Sequence, residues 1–316
     1  MSRSSLLAAV SLLLGSLLAV PAQAAISRTY VASYGDDANT AYSCDFAHPC
    51  RTFQTAFSQV TTGGEILAVD GSGYGTLVID RSVAVIANPG IFAGIGVFSG
   101  GTGVSIATAG VSVTLRGLTL NGQGGGYGIR MTNGSRLSVE NCVIANFSSS
   151  GQYGLRIETP AQVRVVQSLF RDNYRAASIE AGATASISRS EILGSIWTGI
   201  SAYHLSGAAG VTTTVTVSDS IVANNGGGWG AVAHASIAGS YAKLHIVDST
   251  ITNASYGISA EAATSVATIT LSGSLVTGNG TGLAQAGASV LRSFGNNTVT
   301  ENTTSTSGVI TAGVPM

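Results

Sequence analysis

Residues 127–146 read YGIRMTNGSRLSVENCVIAN, and residues 153–173 read YGLRIETPAQVRVVQSLFRDN. The two stretches share few identities but one pattern, offset by 26 residues. Anchored on Cys142, the residue after LSVEN, the same pattern recurs at Leu118, Ser168, Ser190, Ser220, Ser249, Ser274 and Asn297, at intervals of 22 to 30 residues. Self-similarity at such a period denotes a solenoid. Five and three positions before the anchor stand apolar pairs such as Leu137/Val139, Val163/Val165 and Val215/Val217, and two positions after it Ile144, Phe170, Ile192 and Val222. A further alternating run starts at the Gly-apolar step, as in Ile129/Met131 and Leu155/Ile157. Each turn therefore has three short strands, each with one buried side. One coil cannot bury its own apolar face; copies stacked about 4.8 Å away can.

Turn chemistry agrees. Four positions after the anchor come Gly122, Asn146, Asp172, Gly194, Asn224, Asn253 and Gly278, residue types that tolerate a left-handed backbone. An open solenoid end exposes unpaired strand edges, so a cap is expected. Residues 49–60, PCRTFQTAFSQV, place Phe53, Ala56, Phe57 and Val60 on one helical stripe, with Pro49 suited to a first turn. Residues 300–316, TENTTSTSGVITAGVPM, offer no second helix. That end is expected to carry irregular chain or to meet a partner, with homo-oligomerisation through the C-terminal edge as the form such a partner takes.

The first residues combine Arg3, an apolar run from Leu6 to Val20 and the small-residue pattern PAQA, which predicts a signal peptide cleaved after Ala24. The run is shorter than the roughly 20 residues of a membrane-spanning helix, so no membrane partner is expected after cleavage. The expected order is signal peptide 1–24, N-terminal segment with capping helix 25–62, β-helix 63–305 and C-terminal tail 306–316, in a secreted or periplasmic protein. Of 316 residues only 9% are charged, Lys+Arg number 14 against 15 Asp+Glu, and Lys243 is the single lysine. Phosphate binding needs clustered cations, which excludes nucleic acid as a partner. In an oxidising compartment Cys44 and Cys50, within CDFAHPC, are expected to form a disulfide, leaving Cys142 as a sheltered thiol.

Coils of this length, YGI strand starts, NCVIAN-type turns and a helical N-terminal cap make residues 60–305 resemble the right-handed parallel β-helix proteins of the pectin lyase-like superfamily. The resemblance implies an all-β solenoid with three short strands per coil and a capping α-helix. It implies no single activity, since that superfamily holds lyases, hydrolases, epimerases, tailspikes and adhesins. The N-T-D, D-D, G-H-G and R-I-K signatures of its polygalacturonase-like members are missing: the Asp36-Asp37 pair precedes the cap, and Arg156–Glu158 read RIE. The D-P-H-D of alginate epimerases is missing too. Asp172, Asp219 and Asp248 fall in turns of separate coils, so the Ca²⁺ used by pectate-lyase-like members finds no ligand cluster and no cofactor is evident.

In such proteins the strand beginning at GI floors the substrate cleft. Stacking places Arg130 and Arg156 in one outward column and Glu158, Glu180, Tyr203, His234 and Glu261 in the next. Glu158 and Glu180 on adjacent coils are candidate catalytic carboxylates, their like charges raising one pKa, with Arg130 and Arg156 positioned for a uronate carboxylate or developing negative charge. The same four residues also suit a plain charge ladder. Tyr127, Tyr153, Tyr174, Trp197, Trp229 and Tyr256 form an aromatic row; with Tyr203, His234 and Glu261 they are candidates for substrate binding, or the rings pack on one another along the rod. Lys243 is a weaker candidate for a proton-abstracting base, because it lies on another strand, in a column with Arg136, Gln162, Thr184, Thr214 and Thr268. That column and the row containing Ser138, Ser186 and Thr216 present outward Thr and Ser of the kind that orders water in ice-binding solenoids, though irregularly spaced. His48, His204, His234 and His245 share no metal-ligand spacing. The expectation is a protein that binds polysaccharide along an exposed strand face. The alternatives are a polysaccharide lyase or glycoside hydrolase acting on an acidic glycan, and a structural or adhesive surface protein.

Overall fold

Leu137 pairs with Val113 on one side and Val163 on the other, and that relation repeats coil after coil. The computed structural model describes residues 26–204, 209–262 and 265–313; the expected signal segment lies outside them. Its strands form three parallel sheets of twelve, ten and ten strands. The first contains Arg136–Glu140, the second Val143–Ala145 and the third Tyr127–Met131 and Tyr153–Ile157. Between them lies one continuous core, in which Leu120, Ile144, Phe170, Ile192 and Val222 stack in register and are at most 1% exposed.

The corners carry the strain. All the expected turn positions except Gly122 have positive φ, from 54° at Asn253 to 67° at Asn146. A second left-handed column precedes the anchor and includes Gln167 and Arg189, both at φ 49°. Those residue types give no turn signal, and only the corner between the first and second sheets requires them there.

Beside the corner runs a buried serine ladder. The Ser220 hydroxyl donates to the Ser218 carbonyl at 2.7 Å and accepts from the Ser190 N–H at 3.1 Å; Ser190 and Ser249 repeat the arrangement. The anchor position is therefore polar because the corner leaves backbone groups that need partners. Ser220→Val removes both bonds inside the wall, and a loss of about 2 kcal/mol is expected in urea unfolding. Cys142 takes the same place, 1% exposed, with burial pushing its thiol pKa up to about 11.

The N-terminal cap is the helix Phe53–Gln59, which buries Phe53, Ala56 and Phe57. Its N-cap is Thr52, whose side chain accepts from the Thr55 N–H, so Pro49 lies before the helix instead of in its first turn. The cap also pairs the open edges: the Gln54 side chain accepts from the Val78 N–H and Arg51 donates to the Gly73 carbonyl, both at 2.8 Å. Cys44 and Cys50 form the expected disulfide over a separation of 6 residues. Replacing both by serine frees that small loop in the unfolded chain, and a loss of about 2 kcal/mol is expected, read by urea unfolding with and without reductant. At the other end Thr304–Ser307 and Ile310–Gly313 are strands paired with the preceding coil. Much of the stretch read as a tail thus continues the sheets.

Candidate functional site

The strands of the third sheet, with the residues immediately flanking them such as Glu158, Glu180 and Trp197, hold every residue singled out for catalysis or glycan binding. Glu158 and Glu180 do occupy one column on adjacent coils, since Ile157 pairs with Ile179. Between them, however, lies a cation. Arg156 reaches Glu180 through Nε at 3.0 Å and Glu158 through Nη1 at 3.2 Å, while Arg130 reaches Glu158 at 2.6 Å. The like-charge contact is replaced by an alternating ladder, to which Ser178 adds a bond to Glu180 at 2.8 Å. Burial disfavours the Arg156 cation, but Glu180 and Glu158 outweigh it and hold its pKa above the usual value. Bonding to Glu158 does the same for Arg130.

The aromatic row consists of two runs. Tyr127 stacks on Tyr153 at 5.5 Å, Tyr174 on Trp197 at 6.2 Å and Trp229 on Tyr256 at 6.4 Å, and Trp197 meets Trp229 edge-on at 5.4 Å. Register separates the runs, because Tyr153 pairs with Arg175 and not with Tyr174. The Arg175 guanidinium fills the gap, over both rings at 5.1 and 5.6 Å. Arg130 and Arg156 cover Tyr127 and Tyr153 at 4.6 and 4.7 Å. Ring faces that a sugar would use are thus turned toward one another or toward cations; Tyr256, 43% exposed, is the open end. The outward Ser178, Ser201 and Val232 are also buried, at most 1% exposed, where an open strand floor was expected. Tyr203 is likewise only 7% exposed, not a surface contact, and His204 is fully buried.

His234 and Glu261 stand at the rim of this face. Nδ1 of His234 lies 3.3 Å from Glu261, whose other oxygen accepts from Ser259 at 2.9 Å. Burial opposes ionisation of Glu261, but His234 and Ser259 prevail and set its pKa below the usual 4.5. A depressed carboxylate stabilises the fold above the unfolded value, and that contribution is lost as pH falls through the folded one. Wild type and Glu261→Gln are therefore expected to differ in melting temperature at pH 7 and to converge on acidification below about pH 4.

A broad concavity lies elsewhere, on the outward face of the first sheet. A trough of about 760 Å³ is lined by Ser112, Thr114, Arg136, Ser138, Gln162, Arg164, Thr184, Ser186 and Thr216. A second hollow of about 410 Å³ adjoins it and shares Arg136, Gln162 and Thr184. These columns are legible in the sequence; their concavity is not. Alongside, Arg116 and Arg164 each approach Glu140 to 2.8 Å, and Ser138 donates to it at 2.7 Å. Burial disfavours the Glu140 charge, but Ser138 and the two arginines more than compensate and depress its pKa. No interval along the chain discloses this cluster, because Arg116, Glu140 and Arg164 stand on three successive coils, Arg116 opposite Glu140 and Arg164 opposite Ser138. Among the described residues no group of three or more His, Cys, Asp or Glu could hold a metal ion, and no helix is long and apolar enough to cross a membrane.

The family described as right handed beta helix region matches residues 67–225 and 102–267. The chain belongs to this family. The β-helix protein is similar in structure to pectate lyase Pel9A, at 15% identity and a TM-score of 0.54, covering 89% of this chain and 80% of that one. That likeness concerns the fold and agrees with the pectin lyase-like resemblance. GH136 lacto-N-biosidase from Eubacterium ramulus is more distant, at 10% identity and a TM-score of 0.39, with 90% and 67% covered. Among curated proteins, no sequence matches the β-helix chain.

Proposed function

We propose that this β-helix protein is exported and binds a polysaccharide chain laid lengthwise along its rod. One observation carries the reading: outward polar side chains recur in columns, one coil apart, along a trough that crosses five strands, about 19 Å at the usual strand spacing. A polymer with its own repeat is the ligand such columns suit. The pectate lyase likeness supports a polysaccharide-related β-helix at the level of fold. Affinity electrophoresis of residues 25–316 against acidic and neutral polysaccharides tests the reading. Retardation by at least one is expected, and unretarded migration across the panel would sink it.

A second reading, lyase or hydrolase action at Glu158 and Glu180, is favoured by their sheltered position, 21% and 13% exposed, beside two arginines. It requires substrate to displace Arg156 from at least one carboxylate. Unsaturated product or new reducing ends, both lost in Glu180→Gln, would establish it; their absence from wild type would leave a binding protein.

A further inference from the structure

The charges of this nearly neutral chain are not spread evenly over the rod. On the outward side of the first sheet stand Arg28, Arg116, Arg136, Arg164, Lys243 and Arg292, against only Glu65 and Glu140 among strand residues of that face. Arg28 is taken by Glu65 at 2.8 Å, and Arg116 and Arg164 share Glu140. Among the described residues Arg136 forms no ion pair, and its exposed side chain lines both adjoining hollows. The third sheet is the opposite case, because Arg130 and Arg156 are bound to Glu158 and Glu180 within hydrogen-bond distance.

We infer that the trough of the first sheet is a binding site for a polyanionic glycan, with Arg136 as its principal anion contact and Arg164 as the second. The inference rests on the reading of a glycan-binding rod and names its face and ligand class. An unpaired guanidinium forms two parallel bonds to a carboxylate or a sulfate at no cost in broken ion pairs. Arg164 is held by Glu140 through one nitrogen, Nη1, at 2.8 Å, which leaves its other donors for the ligand. Gln162 and Thr184, both exposed, and Ser138 supply neutral hydrogen bonds to sugar hydroxyls between the charged points. Because side-chain cations meet the ligand's charge directly, binding does not depend on a divalent cation, and it weakens with salt as exposed charge pairs are screened over about 8 to 10 Å.

The test is affinity electrophoresis and titration calorimetry of the secreted chain with polygalacturonate, a sulfated glucan and the uncharged glucan, in EDTA and at two salt concentrations. Wild type is expected to bind a charged polymer in EDTA and to lose affinity in high salt. Arg136→Ala is expected to bind about tenfold more weakly, the loss of one charge-assisted contact. Arg136→Lys recovers part of it, and the control Arg171→Ala, at an exposed cation of the second sheet, leaves binding unchanged. Preference for polygalacturonate identifies carboxylate as the source of the charge, and preference for the sulfated glucan identifies sulfate; either agrees with the site. Circular dichroism confirms that each variant is folded. The site is overturned if wild type binds while Arg136→Ala and Arg136→Ala/Arg164→Ala match it, if EDTA abolishes binding, or if Arg171→Ala alone reduces it. Each of these leaves the glycan-binding rod standing on another face, whereas no binding to any polymer defeats the broader reading itself.

Discussion

Phe170→Ala is expected to cost about 4 kcal/mol of unfolding free energy, the largest loss of any single truncation considered for this chain. Phe170 is fully buried in the strand Leu169–Arg171, between Ile144 of the preceding coil and Ile192 of the next. Its neighbours are tied by parallel hydrogen bonds on both sides, so the backbone cannot collapse into the space left behind. The cavity therefore persists, and its cost adds to the transfer term. Phe170→Leu, which refills much of the volume, is expected to lose less than half as much. Urea unfolding followed by circular dichroism decides this, and equal losses for the two variants would show that the site relaxes freely.

Gly128→Val is expected to destabilise by about 3 kcal/mol, through overpacking instead of a void. The glycine of the YGI strand start is a matter of space. A Cβ at Gly128 would lie 2.5 Å from the Gly154 carbonyl oxygen and 2.9 Å from Ile144 Cγ2. Gly199 and Gly230 meet the next coil in the same way, at 2.5 and 2.7 Å. Backbone held in a ladder cannot step aside, so the clash has to open the coil spacing itself. Ala176 occupies the equivalent place between Gly154 and Gly199, which shows that a methyl can be fitted when its coil is built for it. Gly128→Ala should accordingly fall well short of Gly128→Val. Two indistinguishable melting curves for Gly128→Val and wild type would refute the steric account.

How much of the molecule the sequence discloses depends on whether a residue acts within its coil or between coils. Three strands per coil, the apolar columns, the left-handed turns at Asn146 or Asn253, the capping stripe at Phe53 and Phe57 and the Cys44–Cys50 pairing all follow from local spacing. The corner residues Gln167 and Arg189 do not, because a left-handed backbone there is imposed by the corner and not by side-chain preference. Columns are predictable, since equal positions stack at one spacing. Which residues then lie against each other is not, since a long side chain chooses among neighbours on two adjoining coils.

The candidate face shows the difference at single residues. Position alone brings Glu158 and Glu180 together, yet Arg156 is long enough to enter between them and converts a like-charge pair into a ladder. A one-residue shift of register puts Arg175 where a row of rings was expected to continue. By itself, then, the sequence determined that this chain is a capped solenoid with one apolar side to each strand, because burial requires a period and the period is written in the residues. Only the tertiary structure decided that the first sheet is hollowed beside the unpaired Arg136, while the rings and cations of the third are engaged with one another and with its carboxylates. Concavity and charge pairing depend on distances between coils, and no interval along the chain encodes those distances.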